Sequence, residues 1–555
     1  MFSSLLVGPT SEHTARIRLN DEAVHDLELQ AIAAGMAHHG TNETAVLRVL
    51  TELPQDREEI LYRQATARCF WQNPRLHREM DGLVRTMQEL TVFSRSGRET
   101  DRPLLEAIWR LGELELYVEL VDRTRSVLEK TDDLSDGLAS LLEELRRRQA
   151  EPAFQELRRE LPELRSGIKL HQSVTIGVNL DDKLRPVEAA LLGVNRQRYR
   201  EGHFLSGFLG KATGDPFITT TPLERTPGTE AVFGGAMKRL PLAPLFEELD
   251  TVLRSMLRPL ARKLRSYVTV NTDLFRRLFP ELAFFLGATG YLREVADAGY
   301  PVCFPGVLDG AERVSAFRGL YNLRLASHWL TRTGVQRMVG NDVAFDDAAR
   351  LFVLTGPNGG GKTTYTQAVG IASVLAQAGL PVPAESGEVA PMDAVYTHFP
   401  AEEEFDDELG RFEDEARRIS ALFDRITDRS LVLLNEPLAS TGPREAERIA
   451  GSVLAGLSLA GARGIFTTHF HDLAHNAARV SADAAGEDSR ASTVGTLNAG
   501  VYYENGRARR TYRITAGPPA GSSFAEDVAR RYGIDRESLG RRLRSDESDT
   551  DRDLA

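Results

Sequence analysis

The stretch Gly356-Pro357-Asn358-Gly359-Gly360-Gly361-Lys362-Thr363-Thr364 constrains this chain more than any other. It fits the pattern G-x-x-x-x-G-K-[ST] and has the neighbours that pattern needs. The apolar run Leu351-Phe352-Val353-Leu354 before it reads as a buried strand, and Tyr365 to Ala378 after it reads as a helix. A strand feeding a glycine-rich turn into a helix makes a phosphate cradle. The glycines let several N–H groups converge on phosphate oxygens, and the positive end of the helix adds to the attraction. In such a loop Lys362 reaches the β- and γ-phosphates and the Thr363 hydroxyl holds Mg²⁺. Residues Gly356 to Thr364 are thus the candidate nucleotide-contacting set, with ATP and Mg²⁺ as expected ligands. Asn341, ahead of the strand, is counted with them.

A chain of 555 residues predicts three or four domains. No run of 18 apolar residues is present to span a membrane, and the first residues lack the basic region of a secretion signal. Two cysteines, Cys69 and Cys303, build no disulfide framework, so a reducing, cytoplasmic setting is expected. The net charge of −12 excludes a protein basic all over, but not one with a local basic face for nucleic acid. Much of the acid is concentrated at Glu402 to Glu408 and in the tail Asp546 to Asp553, which reads as disordered.

Organisation changes along the chain. Residues 20 to 95 and 101 to 166 read as helical, the second run rich in Leu, Glu and Arg. Ser173 to Asn179 and Pro186 to Val194 read as two strands about a turn at Asp181-Asp182. Residues 200 to 241 read as Gly/Pro/Thr-rich loops, and helix returns from Leu242 to Ala298. From about residue 310 strands at 351–355, 430–434 and 464–468 alternate with helices, which predicts a largely parallel sheet. The expected fold class is multidomain, α and α/β.

The strand Ser430-Leu431-Val432-Leu433-Leu434 ends in Asn435-Glu436 at the sheet's carboxyl edge, where ligands bind. An aspartate is usual at the first position, to hold Mg²⁺; Asn435 offers a neutral oxygen. Glu436 is suited to orienting and deprotonating a water. The plainer alternative is a polar strand end making a turn. A third apolar strand, Gly464 to Thr468, ends in His469. That histidine is either structural or a contact to the γ-phosphate or attacking water.

These residues together resemble the MutS ATPases of DNA mismatch repair. Gly356 to Tyr365 is similar to that family's G-P-N-x-G-G-K-[ST]-T/Y, and Gly379 to Glu385 to its G-x-x-V-P-A segment. Asp393 to Thr397, Phe412-Glu413-Asp414-Glu415, Leu438 to Thr441, Thr467 to Phe470 and Gly521 to Ala529 follow in the family's order. The first half resembles it more weakly, at Asp56 to Ile60, Arg68 to Phe70 and Gly287 to Tyr300. The resemblance covers roughly residues 30 to 535.

The resemblance implies a helical core (1–100), then lever helices with a β-rich clamp-like insertion at about 172–240 (101–310). It continues with an ABC-type P-loop ATPase domain (311–535) and an acidic tail (536–555). It implies a homodimer that engages DNA mainly through the backbone, in mismatch repair or related maintenance. Lys183, Arg185, Arg196, Arg198, Arg200 and Lys211 are the candidate phosphate contacts, unless they form an ordinary solvated surface. Three departures stand out. No aromatic-x-Glu mismatch reader precedes the core, and the short acidic tail leaves no Smr domain. Asn435 replaces the acidic metal partner, and Gly410-Arg411 stands where the family's trans-acting serine lies, with Arg411, Ser440 and Thr441 as the residues facing a second subunit. Slow turnover is therefore expected. Two rival classes remain: an ATP-binding switch or scaffold with little hydrolysis, and another ABC-type ATPase, which the missing L-S-G-G-Q signature disfavours.

Overall fold

The computed structural model describes residues 2–9, 15–37, 43–96, 103–169, 173–180, 182, 186–195, 267, 272–332, 338–400, 408–438, 442–487, 491–504, 507–517, 532–540 and 542. Its strands, in chain order, are β1 (Arg16–Arg18), β2 (Glu52–Pro54), β3 (Ser173–Leu180), β4 (Pro186–Asn195), β5 (Gly306–Val307), β6 (Ser315–Leu320) and β7 (Asn341–Phe345). They continue with β8 (Leu351–Thr355), β9 (Ser386–Val389), β10 (Val395–His398), β11 (Leu431–Asn435), β12 (Arg463–Thr467), β13 (Val494–Glu504) and β14 (Arg507–Ala516). The fold is mixed helical and α/β.

Two compact units emerge, and neither is contiguous in sequence. One comprises residues 1–82, 127–143 and 278–555, the other residues 83–126 and 144–277.

The first unit is organised by a six-stranded sheet in the order β10-β11-β12-β8-β13-β14, parallel except for the final β13–β14 pair. β8, β11 and β12 are buried at every position. That is why β8 and β11 read as continuous apolar runs rather than alternating ones. On one face lie helices Glu408–Phe423 and Pro443–Leu459, whose Ile419, Leu422, Ala450 and Leu454 pack against Val432, Leu434 and Phe466. Helix Lys362–Gln377 is buried on nearly all sides, so its apolar residues run all round it. The N-terminal segment accounts for part of that burial. A Cβ on Gly370 would collide with both Leu27 and Leu433. Gln367 Nε2 donates to Asp26 O, and Gln377 Nε2 donates to Pro54 O and Met392 O. A smaller four-stranded sheet has the order β5-β9-β6-β7.

The register of the large sheet builds the site. Asn435 pairs with Thr467, and Thr467 with Leu354, so β8, β11 and β12 end at one edge. The expected strands at 430–434 and 464–468 are found one residue displaced, as β11 and β12. The P-loop helix begins at Lys362, three residues earlier than the apolar pattern predicts. Lys362, Thr363 and Thr364 are its polar first turn, which periodicity does not register.

In the second unit, Tyr117 packs edge-on against Phe154 and Phe275. Glu113 accepts hydrogen bonds from Thr272 Oγ1 and Arg110 Nη1, both at 2.5 Å. β3 and β4, the two strands expected over 173–179 and 186–194, pair antiparallel with two register shifts. Of the expected helix from Leu242, the described part is Asp273–Asp297. Both cysteines are free. No helix among the described residues is long and apolar enough to cross a membrane.

Candidate functional site

The P-loop leaves β8 through backbone that only glycine adopts readily: φ is +134° at Gly356, +68° at Gly359 and +94° at Gly361. Gly360 N donates to Pro357 O at 3.0 Å and closes the turn over Asn358. Gly361 caps the helix, whose first internal bond is Tyr365 N to Gly361 O. The N–H groups of Lys362, Thr363 and Thr364 have no carbonyl a turn behind them and point out of the helix end. That is the donor array a phosphate requires.

Lys362 is 4% exposed and folds back across its own loop. Its Nζ donates to Gly356 O at 3.0 Å and lies 3.5 Å from Pro357 O and from Glu436 Oε1. Burial pushes its ammonium below the ordinary lysine value, against the opposing pull of Glu436. Thr363 Oγ1 donates to Asn435 Oδ1 at 3.2 Å, so the two expected metal contacts are adjacent. A hydroxyl and a neutral amide suit a hard cation that brings most of its oxygens from phosphate and water. Asn435 is 3% exposed.

Glu436 follows at φ +53°, and Leu438 at φ +66°. Each non-glycine residue held there costs about 1 kcal/mol. Glu436 N donates to Thr467 O, which extends the β11–β12 pairing by one residue. Glu436 Oε2 lies 2.8 Å from His469 Nε2. The hydrogen bond from His469 is the main reason that the Glu436 carboxyl sits below the usual carboxylate range; Lys362 adds to it and burial opposes it. His469, expected at the phosphate or the water, thus spends Nε2 on Glu436. Lys362, Thr363, Asn435, Glu436 and His469 are brought together at one edge.

Other expected residues fall elsewhere. Both polar atoms of Asn341 are engaged with β14: Nδ2 donates to Tyr512 O at 3.0 Å and Oδ1 accepts from Ile514 N at 2.7 Å. Arg411 falls near the start of helix Glu408–Phe423. Ser440, Thr441, Lys183, Arg185, Arg196, Arg198, Arg200 and Lys211 lie outside the described residues, as do the acidic stretch 401–407 and the tail from 543.

The structure also adds residues that sequence reasoning passes over. On β14, Arg510 lies over the P-loop, its Nη1 2.7 Å from where a Gly359 Cβ would stand. Tyr512, 50% exposed, brings Cδ1 to 3.6 Å from a Cβ on Gly361. The run Arg509-Arg510-Thr511-Tyr512 has no clean alternation to mark it as a strand. Glu415 and His398 meet at 2.8 Å beside the Glu436 loop.

Comparison with known proteins accords with this geometry. Residues 352–530 match the family model of MutS domain V. Residues 55–298 match that of the MutS2 N-terminal domain. The chain belongs to the MutS family. Among its curated relatives is the "Endonuclease MutS2" of Thermomicrobium roseum, 36% identical over 201 residues, which are 36% of this chain and 24% of that protein. The proteins of the same name from Shouchella clausii and Thermus thermophilus are each 33% identical. They cover 39% and 41% of this chain, and 26% and 28% of their own lengths. The chain thus aligns with about a quarter of the length of the relatives it matches.

Proposed function

We propose that this MutS-family chain is a DNA-associated ATPase whose reaction centre is the β8–β12–β11 sheet edge. One observation carries the reading. Glu436 reaches both the P-loop lysine, at 3.5 Å, and His469, at 2.8 Å, with Asn435 and Thr363 in contact alongside. The first-turn amides and Lys362 would bind the triphosphate, with Arg510 able to add charge from the β14 side. Thr363 and Asn435 would hold Mg²⁺, which neutralises charge developing on the phosphate oxygens. As Lys362 turns from Gly356 O and Glu436 to phosphate, Glu436 loses a cation that depresses its basicity. His469 keeps the carboxylate oriented. Glu436 then takes a proton from water as the water oxygen bonds to the γ-phosphorus and the bond to ADP breaks.

Asn435 favours a second reading, an ATP-binding switch that turns over slowly. Asn435→Asp separates the two. It is expected to raise the steady-state rate, or lower the Mg²⁺ concentration needed, with ATP affinity within about twofold, because the P-loop supplies most phosphate contacts. Unchanged rate and Mg²⁺ dependence would show that the neutral side chain is no handicap.

The proposed domain arrangement is the one the resemblance implies, with a clamp at about 172–240 and two ATPase domains meeting in a homodimer. The β3–β4 hairpin supports a β-rich element there. A role in mismatch repair or related maintenance, and a cytoplasmic location, belong to the same proposal. DNA binding is expected to be backbone-driven. If all six clamp cations engage phosphate, the logarithm of affinity falls with the logarithm of salt at a slope of roughly −5, nearly independent of sequence. A titration between low and high salt with no change in affinity would contradict it.

A further inference from the structure

We propose that Glu415 is a positioning residue for Glu436, acting through the backbone of Leu438. The proposal rests on the hydrolase reading above, in which Glu436 is the water-activating group. Glu436 and Leu438 both hold left-handed backbone without being glycine, with Pro437 between them. A loop of that kind relaxes unless its surroundings fix it. Two backbone bonds fix this one. At its start, Glu436 N donates to Thr467 O at 2.9 Å. At its end, Leu438 N donates to Glu415 Oε1 at 2.5 Å. The Leu438 side chain is buried in the core between the sheet and helices Glu408–Phe423 and Pro443–Leu459.

Glu415 is itself held. His398 Nε2, at the end of β10, lies 2.8 Å from the same Oε1. Two donors on one carboxylate oxygen require His398 to carry its proton on Nε2. Both side chains are mostly shielded, at 15% and 13% exposure for His398 and Glu415. The acceptor therefore joins three elements: β10, helix Glu408–Phe423 and the loop leaving β11. Helix Glu408–Phe423 also carries Arg411, one turn before Glu415. A shift of that helix is passed by a single hydrogen bond to the loop that aims Glu436. Glu415 touches neither nucleotide nor water in this scheme; its effect falls on how often Glu436 is aimed correctly.

The test compares Glu415→Ala and Glu415→Gln with the unaltered full-length chain by two measurements. In steady-state MgATP hydrolysis, Glu415→Ala is expected to lower kcat at least tenfold with KM within about twofold. Glu415→Gln, which keeps an acceptor oxygen for Leu438 N–H, is expected to recover at least a third of the original kcat. In hydrogen exchange, the Leu438 amide is expected to lose protection in Glu415→Ala and keep it in Glu415→Gln, with β11, β12 and the P-loop helix unchanged in both. An unchanged kcat in Glu415→Ala, or equal losses in the two variants, would overturn the proposal. So would deprotection that spreads to β11 and β12, which marks general destabilisation. If the unaltered chain hydrolyses ATP no faster than its Glu436→Gln variant, the hydrolase reading falls and the catalytic role falls with it. The exchange comparison then still decides whether Glu415 holds the loop.

Discussion

Glu436→Gln is expected to lower the rate of ATP hydrolysis by about a hundredfold or more while leaving ATP affinity within about threefold. Glutamine keeps the size of the side chain and an oxygen for His469 Nε2, which lies 2.8 Å from Glu436 Oε2. It removes the carboxylate that can accept a proton, a contribution of about 10²–10⁴ in rate where a positioned base acts. Affinity is spared because the phosphate donors sit in the P-loop and the first turn of its helix. The carboxyl already lies below the usual carboxylate range through its bond from His469. It therefore stays ionised to lower pH than an ordinary glutamate, and turnover is not expected to be lost through its protonation at neutral pH. Rapid-quench assays and nucleotide titrations measure the two effects separately. Hydrolysis at the original rate in the variant would mean that another group activates the water.

Lys362→Ala is expected to weaken ATP binding by about a hundredfold, the loss of a charge-assisted contact worth about 3 kcal/mol. The change has a second consequence at this site. Lys362 Nζ caps Gly356 O at 3.0 Å within the loop and lies 3.5 Å from Glu436. Its removal leaves a carbonyl and a carboxylate without their cation, so the empty loop is also less well ordered. Titration with a fluorescent nucleotide, beside a circular dichroism check of folding, measures the effect. Unchanged affinity in a folded variant would remove the phosphate role from the loop.

Much of this site was legible because of where it lies in the sheet. β8, β11 and β12 are covered on both faces, so Leu351-Phe352-Val353-Leu354 and Leu431-Val432-Leu433-Leu434 stand out as uninterrupted apolar runs. The polar residues ending them, Asn435-Glu436 and Thr467-Thr468-His469, then mark the ligand edge. The smaller sheet was not legible, since β5 is two residues long and β9 is Ser-Gly-Glu-Val. β14 was missed because arginines interrupt its alternation, and Arg510 and Tyr512 went with it. The packing of residues 1–82 with the nucleotide domain is a tertiary matter. Its local trace is small: Gly370 has no room for a side chain, and Gln377 is buried with both amide atoms bonded. The amide of Asn341 bonds Tyr512 and Ile514 of β14, a pairing across 171 and 173 residues that no local pattern shows.

The central claim is that this sheet edge cleaves ATP, and single-turnover phosphate release tests it most directly. The full-length chain, in excess over radiolabelled ATP, is followed with and without Mg²⁺ beside Glu436→Gln. The expected result is Mg²⁺-dependent release from the unaltered chain at least about a hundredfold faster than from the variant, at equal nucleotide occupancy. Bound ATP that stays intact in both, or is cleaved at the same rate in both, would contradict it.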